Sequence, residues 1–458
     1  MEDQLGRSGG RIDRIAKKMF LDTLGSFQSG FLEVVCPEET YAFGDPSSPL
    51  QAMVVVHHPR FFRRAVFGGD VGMGESYMDG DWSSPGLVAV VRLAVRNLQA
   101  VENQHRIFST AMRVFDRIGH RRNSNTRAGS RRNISYHYDL GNDFYRLFLD
   151  RSMTYSCAYY QGPGDSLASA QIQKFDRICR KLRLGPQDHV LEIGTGWGGW
   201  AAFAASEYGC RVTTTTISQR QNEYARKLFL SLGEAGARIQ LLLEDYRSLQ
   251  GSYDKIVSIE MFEAVGHAHY DDYFRHCDRL LKPQGTMLLQ TITIHENKFQ
   301  AYRKSCDWIQ KYIFPGAELA SVTEIQRSLL RCTEMQMFGM EDIGMHYAET
   351  LKAWRQAFHA NIDAVRQQGF DERFIRMWDY YLGYCEGAFR ERHISDAQLV
   401  LTKTLNPASL MNEPWRENET GATLNSVEPG AKSFLQEENN LPDRLRSRSK
   451  TSRDIRRD

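Results

Sequence analysis

Between residues 168 and 294 the sequence switches repeatedly between helical and extended spacing, and this rhythm limits the fold more than any other feature. "ASAQIQKFDRICRKLRL" (168–184) carries apolar residues at helical spacing. "HVLEI" (189–193) is a short buried strand that turns sharply through "GTGWGGW" into a helix, "WAAFAASEYG" (200–209). Then follow "RVTTTTI" (211–217) as a strand, "QRQNEYARKLF" (219–229) as a helix, and "RIQLLLEDY" (238–246) and "YDKIVSI" (253–259) as strands. "YDDYFRHCDRLLK" (270–282) is a helix and "GTMLLQTITI" (285–294) a strand. Regular β-α alternation means parallel strands joined by right-handed crossovers. The expected fold is therefore α/β, a doubly wound Rossmann-like sheet, and its ligand belongs at the carboxyl ends of the strands.

The turn after the first of these strands narrows the ligand. Gly194, Gly196 and Gly198 follow "HVLEI" directly, where glycine permits a tight turn and close backbone approach. Such a GxGxG fits dinucleotide and S-adenosylmethionine sites alike, and a plain strand–helix turn gives the same letters. Two details favour S-adenosylmethionine. Glu192 precedes the first glycine, where a carboxylate can meet a cationic amino acid. No third glycine closes the dinucleotide fingerprint in its usual register, because Gly199 is adjacent to Gly198.

"HVLEIGTGWGG" resembles the first motif of class I S-adenosylmethionine-dependent methyltransferases. With "YHYDLGNDFYRLFLD", "MTYSCAYY", "FEAVG", "YIFPGAEL" and "YYLGYCEGAFRER", the chain resembles the cyclopropane-fatty-acyl-phospholipid synthase family from about residue 14 to 404. The resemblance implies a methyltransferase sheet with helical insertions and a smaller N-terminal mixed α+β domain. It also implies cofactor contacts at Tyr155 and Ser156, at Gly194, Gly196, Trp197 and Gly198 beside Glu192, and at Thr216 and Gln221. A generic methyltransferase puts an acid after the second strand for the ribose. Here that place reads "TTTTIS", so Thr216 must work with Gln221. Asp245 and Tyr246 should border the adenine, whereas Thr213 to Thr215 read as strand formers.

The implied chemistry sets further demands. An isolated double bond that attacks a sulfonium methyl leaves a carbocation, so the site must be dry, aromatic and equipped with one base. In the family that base is a bicarbonate ion. Carried over, its holders are Cys157, Glu263, Tyr347 and Cys385, with Gln290 where the family has a histidine. A glutamine can donate an amide hydrogen to the ion but cannot carry a proton away. His346 is set aside as pointing away from Tyr347 on a strand. Of two nearby acids, Glu260 and Glu263, the motif selects Glu263. In "DERFIRMWDYYLGYCEGAFRER", Phe374, Trp378, Tyr381, Cys385 and Ala388 share one helical face, with charges on the other. His137 reads as structural.

Four regions are expected: an N-terminal lipid-docking domain (14–112), a basic linker (113–133), the methyltransferase domain (134–404) and a disordered polar tail (405–458). A formal net charge of +2 sets up no global field for nucleic acid, and none is expected as a partner. The eight cysteines have no metal-ligand spacing, so no metal is expected and the thiols read as reduced. With no apolar leader and no window of about 20 apolar residues, a cytoplasmic, peripherally membrane-associated enzyme is expected. Its reaction would carry a methyl group from S-adenosylmethionine to the cis double bond of a phospholipid acyl chain and close a cyclopropane. The alternative inserts a hydride shift and gives a methylene or methyl branch. Weaker rivals are a small-molecule methyltransferase and a non-catalytic lipid- and cofactor-binding protein. Expected partners are unsaturated phospholipid acyl chains at a membrane surface, a second copy in a homodimer, and a reductase if the product is a methylene branch.

Overall fold

The computed structural model of the chain describes residues 10–98, 140–404 and 406. The expected linker (113–133), His137 and all but one residue of the expected tail lie outside the described residues.

The N-terminal region holds a four-stranded sheet of β1 (Phe31–Val35), β2 (Thr40–Gly44), β3 (Gln51–Val56) and β4 (Trp82–Ser83), in the order β2-β1-β3-β4. β1 runs parallel to β3, and the other pairs are antiparallel. β3 alternates outward and buried residues, as a strand with one covered face must. Helices Arg11–Leu24, Arg60–Met78 and Leu87–Arg96 complete this region.

The second sheet contains β5 (His189–Ile193), β6 (Arg211–Thr215), β7 (Ile239–Leu242), β8 (Tyr253–Ile259), β9 (Leu281–Ile294), β10 (Met335–Asp342) and β11 (Ile394–Lys403). Their order is β10-β11-β9-β8-β5-β6-β7. β5 to β9 are parallel, and β11 is antiparallel to both β9 and β10. This is the doubly wound sheet the alternation predicts. The strand order reverses at β5, between β6 and β8, and so opens a crevice at their carboxyl ends. β5 and β6 are covered on both faces, which explains why they read as continuous runs without alternation.

The Glu372–Arg390 helix is buried nearly all round. Its aromatic face turns to the crevice, but the face expected to carry charge is covered by the N-terminal region. Arg376 donates to the carbonyls of Tyr77 (2.5 Å) and Trp82 (2.7 Å). Asp379 accepts from the Tyr77 hydroxyl (2.6 Å) and from Arg355 (2.7 Å). One apolar cluster runs from Val34 and Phe61 through Trp308 to Trp354 and Trp378, so the two regions share a core.

Candidate active site

A cavity of about 440 Å³ lies at the carboxyl ends of β5, β6 and β8, within the range of small-molecule sites. Its polar end is built by the glycine turn. Gly196 has φ 53°, and a Cβ there would meet nothing within 4 Å, so its backbone lies open to the cavity. Gly198 serves another purpose. At φ 94°, a Cβ would come within 2.8 Å of Phe229, so this glycine lets the Gln219–Ser231 helix pack closely, and it does not line the cavity.

Around the turn, Gly194, Trp197, Glu192, Tyr155, Ser156, Thr216, Gln221, Asp245 and Tyr246 all line the wall. Burial pushes the Glu192 carboxyl up to about 8, although it accepts a hydrogen bond from Thr214 Oγ1 (2.5 Å). Thr216 donates to Gln221 Oε1 (2.9 Å), the pairing expected where an acid is missing. Asp245 is bound in an ion pair with Arg247 (2.6 Å) and caps the turn at Tyr246–Ser248. Trp197 donates to Asn142 Oδ1 (2.8 Å), and its ring packs on Tyr145 at 5.0 Å.

The other end of the cavity is apolar and aromatic, with Ile292, Ile294, Ile309, Phe314, Leu319 and Phe389 in its lining. Tyr155 stacks on Trp354 (5.1 Å) and its hydroxyl meets that of Tyr381 at 2.8 Å. Cys385 lines this end too, its thiol pushed far up by burial, so it is no thiolate nucleophile.

Where the two ends meet, the acids differ from the expected arrangement. Glu263 lines the cavity and accepts from Ile292 N (2.6 Å) and Thr291 Oγ1 (2.9 Å) through Oε1, while its buried Oε2 has no partner among the described residues. Burial and the neighbouring Glu260 push its carboxyl up to about 7. Glu260, which the motif passed over, sits at the centre. Its carboxylate accepts from Cys157 N (2.7 Å), Gln290 Nε2 (2.8 Å) and Tyr347 OH (2.7 Å). Three of the five expected holders of bicarbonate thus converge on a side chain of the protein. The Cys157 thiol itself turns to the carbonyls of Ala158 (3.2 Å) and Ile343 (3.7 Å), so this residue serves Glu260 through its backbone.

Two further groups escaped the sequence reading. Asp396 is fully buried on β11 and accepts from Gln290 Nε2 (2.9 Å). Burial and Glu260 raise its carboxyl well above the usual range. Lys174 is fully buried, donates to Ser156 Oγ (2.6 Å) and is brought down to about 8 by desolvation. Each left a signal: an acid inside an apolar strand, and a lysine on the buried face of an amphipathic helix. His346 and Tyr347 lie on a helix, Gly344–Ala360, and not on a strand. His346 accepts from Tyr160 N (3.2 Å) and packs on Tyr159, away from the acids.

A doubly wound sheet of this order, with an open glycine turn beside a buried acid at its switch point, belongs to an S-adenosylmethionine-dependent methyltransferase. The family described as "Mycolic acid cyclopropane synthetase" matches residues 125–399, and the chain belongs to it. Over 367 residues it is 36% identical to the tuberculostearic acid methyltransferase UfaA1 of Mycobacterium tuberculosis (strain ATCC 25618 / H37Rv), covering 78% of this chain and 84% of that protein. Over 359 residues it is 40% identical to the cyclopropane-fatty-acyl-phospholipid synthase of Escherichia coli (strain K12), covering 77% and 88%. The mycolic acid cyclopropane synthase CmaA1, solved with SAH and CTAB, superposes with a TM-score of 0.56 at 33% identity, covering 60% of this chain and 98% of that one. The protein is therefore an enzyme that uses S-adenosylmethionine to modify fatty acyl chains. Among the described residues no helix is long and apolar enough to cross a membrane.

Proposed function

We propose that the protein methylates the cis double bond of an unsaturated acyl chain of a membrane phospholipid, and that loss of a proton from the new methyl closes a cyclopropane. The observation that carries this reading is the cavity itself. One continuous space joins the glycine turn, Glu192, Thr216 and Gln221 to an apolar end, with carboxyl groups where they meet. S-adenosylmethionine supplies an electrophilic methyl group. Glu192 is placed to meet its ammonium, and Thr216 with Gln221 to take its ribose and carboxylate. The apolar end orients the double bond and excludes water, which would quench a cation. The faces of Tyr155, Tyr381 and Phe314 offer that cation electron-rich surface. Removal of the proton falls to the group held by Cys157, Gln290 and Tyr347, the place where bicarbonate was expected.

The N-terminal region is read as the part that meets lipid. Its first helix exposes Ile12 and Ile15 beside Arg11, Arg14 and Lys18, a combination suited to an anionic bilayer surface. The E. coli relative, whose name specifies a phospholipid, aligns over 77% of this chain, well beyond the catalytic sheet.

A second reading has its own support. Gln290 replaces the expected histidine, and the relative at 36% identity is named for tuberculostearic acid. There a hydride shift precedes the same proton loss, and the product is a methylene branch. Incubation with S-adenosylmethionine and oleoyl phospholipid vesicles, followed by proton NMR of the released fatty acids, separates the two. Upfield ring protons are expected; vinylidene protons would establish the branch, and no gain in mass would overturn both readings.

A further inference from the structure

Four observations on Glu260 point the same way. First, its carboxylate accepts from three groups of residues expected to hold an external anion: Cys157 N, Gln290 Nε2 and Tyr347 OH. Second, these donors cannot readily turn elsewhere. Gln290 Oε1 is occupied by Gln398 Nε2 (3.0 Å), and Gln398 is in turn held by the buried Lys181 (2.7 Å), so the amide hydrogens of Gln290 face the acids. Third, the backbone of Glu260 has φ 48°, a left-handed conformation that is strained for a residue other than glycine. It is held there at the end of β8 by Glu260 N donating to Gln290 O (2.8 Å), and it returns the side chain into the cavity wall. Fourth, the surroundings are already acidic. Glu263 and Asp396 face Glu260, with the buried Lys174 as the nearby cation. A further anion would stand against the Glu260 carboxylate in a low-dielectric space, which is unfavourable.

We propose that the carboxylate of Glu260 is the catalytic base of this enzyme, built into the chain in place of a bound bicarbonate. The inference rests on the methylation reading above and deepens it. In the step it performs, a C–H bond of the transferred methyl breaks and the proton passes to a Glu260 oxygen. The electron pair left behind forms the closing carbon–carbon bond at the cationic carbon, or the exocyclic double bond if a hydride has shifted first. Charge balances, because the cation and the carboxylate become a neutral lipid and a neutral acid. Asp396 shares the Gln290 amide with Glu260, and burial together with Glu260 pushes its carboxyl well above the usual range, which favours the proton there and the carboxylate at Glu260.

The test needs the full-length protein with S-adenosylmethionine and oleoyl phospholipid vesicles. Wild-type turnover is measured in carbon-dioxide-free buffer and again with millimolar bicarbonate. The two rates should be equal. A rate that falls on stripping and returns on addition would overturn the proposal, and this arm needs no variant. Glu260→Gln keeps the shape of the side chain but cannot accept the proton. Its kcat should fall by about 10²–10⁴-fold while cofactor binding persists; turnover at the wild-type rate would also overturn the proposal. Glu260→Gly empties the cage, and millimolar bicarbonate should restore turnover to that variant alone. A wild-type protein that makes no methylated lipid under any of these conditions would instead sink the methylation reading.

Discussion

Glu192 is the clearest case of a single residue tuned by its surroundings. Burial pushes its carboxyl up to about 8, above the ordinary carboxylate value, so without a cation beside it the acid is mostly neutral at pH 7. A cofactor ammonium demands the carboxylate, and binding below pH 8 must therefore expel a proton. S-adenosylmethionine affinity should rise by up to about tenfold per pH unit toward pH 8 and then level. Calorimetric titration across pH 6–9 checks this, and Glu192→Gln should flatten the profile; a flat wild-type profile would place the ammonium elsewhere. Glu263 offers a second test, because its Oε2 is buried beside the cavity without a partner among the described residues. Glu263→Gln should lower turnover by about 10²-fold or more while cofactor binding is kept. Lost cofactor binding would assign it to the wrong end of the cavity. Glu263 and Tyr347 were legible in the motifs, whereas Glu260, three positions from Glu263, gains its place only from the donors that the fold brings to it.

Among the elements, the Glu372–Arg390 helix shows what periodicity can and cannot say. The stripe of Trp378, Tyr381, Cys385 and Ala388 was legible, and it does face the apolar cluster or the cavity. The opposite face looked like a solvent face because it carries Asp379 and Glu386. Both are buried there, paired with Arg355 and with Arg390 respectively. Gly387 lies on this face against the Leu87–Arg96 helix, and a Cβ there would stand 2.7 Å from the Val91 side chain and 3.3 Å from the Val88 carbonyl. Gly387→Val should destabilise the protein by about 1–3 kcal/mol, seen as a lower thermal midpoint, with the glycine turn and cofactor affinity untouched. An unchanged midpoint would mean the two helices are not packed in this way. The segment of His346 and Tyr347, expected as a strand, is a helix for a related reason: a short apolar segment does not declare its period until its partners are known.

Across the whole molecule, the N-terminal region and the helices around the cavity share one apolar cluster and a set of ion pairs. Asp379, which joins Tyr77 to Arg355 and His359, has its carboxyl held well below the usual range by those partners. The stabilisation this gives is complete above the ordinary carboxylate range and is lost as pH falls through the lower folded value. A single melting transition is therefore expected from both regions. A protein lacking residues 1–98 should aggregate or melt well below the intact chain, because the outer face of Glu372–Arg390 would be stripped. Differential scanning calorimetry of the two proteins checks this; equal midpoints would show that the regions fold independently.

What the sequence determined alone was local or patterned. The switching of hydrophobic period set the five parallel strands, and the letters after "HVLEI" set the glycine turn that lines the cavity, because both depend on neighbours along the chain. The centre of the site was decided only in three dimensions. Sheet register places Gln290 beside Ile259, next to Glu260, on one side and beside Gln398, near Asp396, on the other. The Leu167–Leu182 helix adds Lys174 beneath them. These groups lie up to more than two hundred positions apart, and no pattern along the chain records their distance. Their charges acquire meaning only once the folded interior removes water from between them.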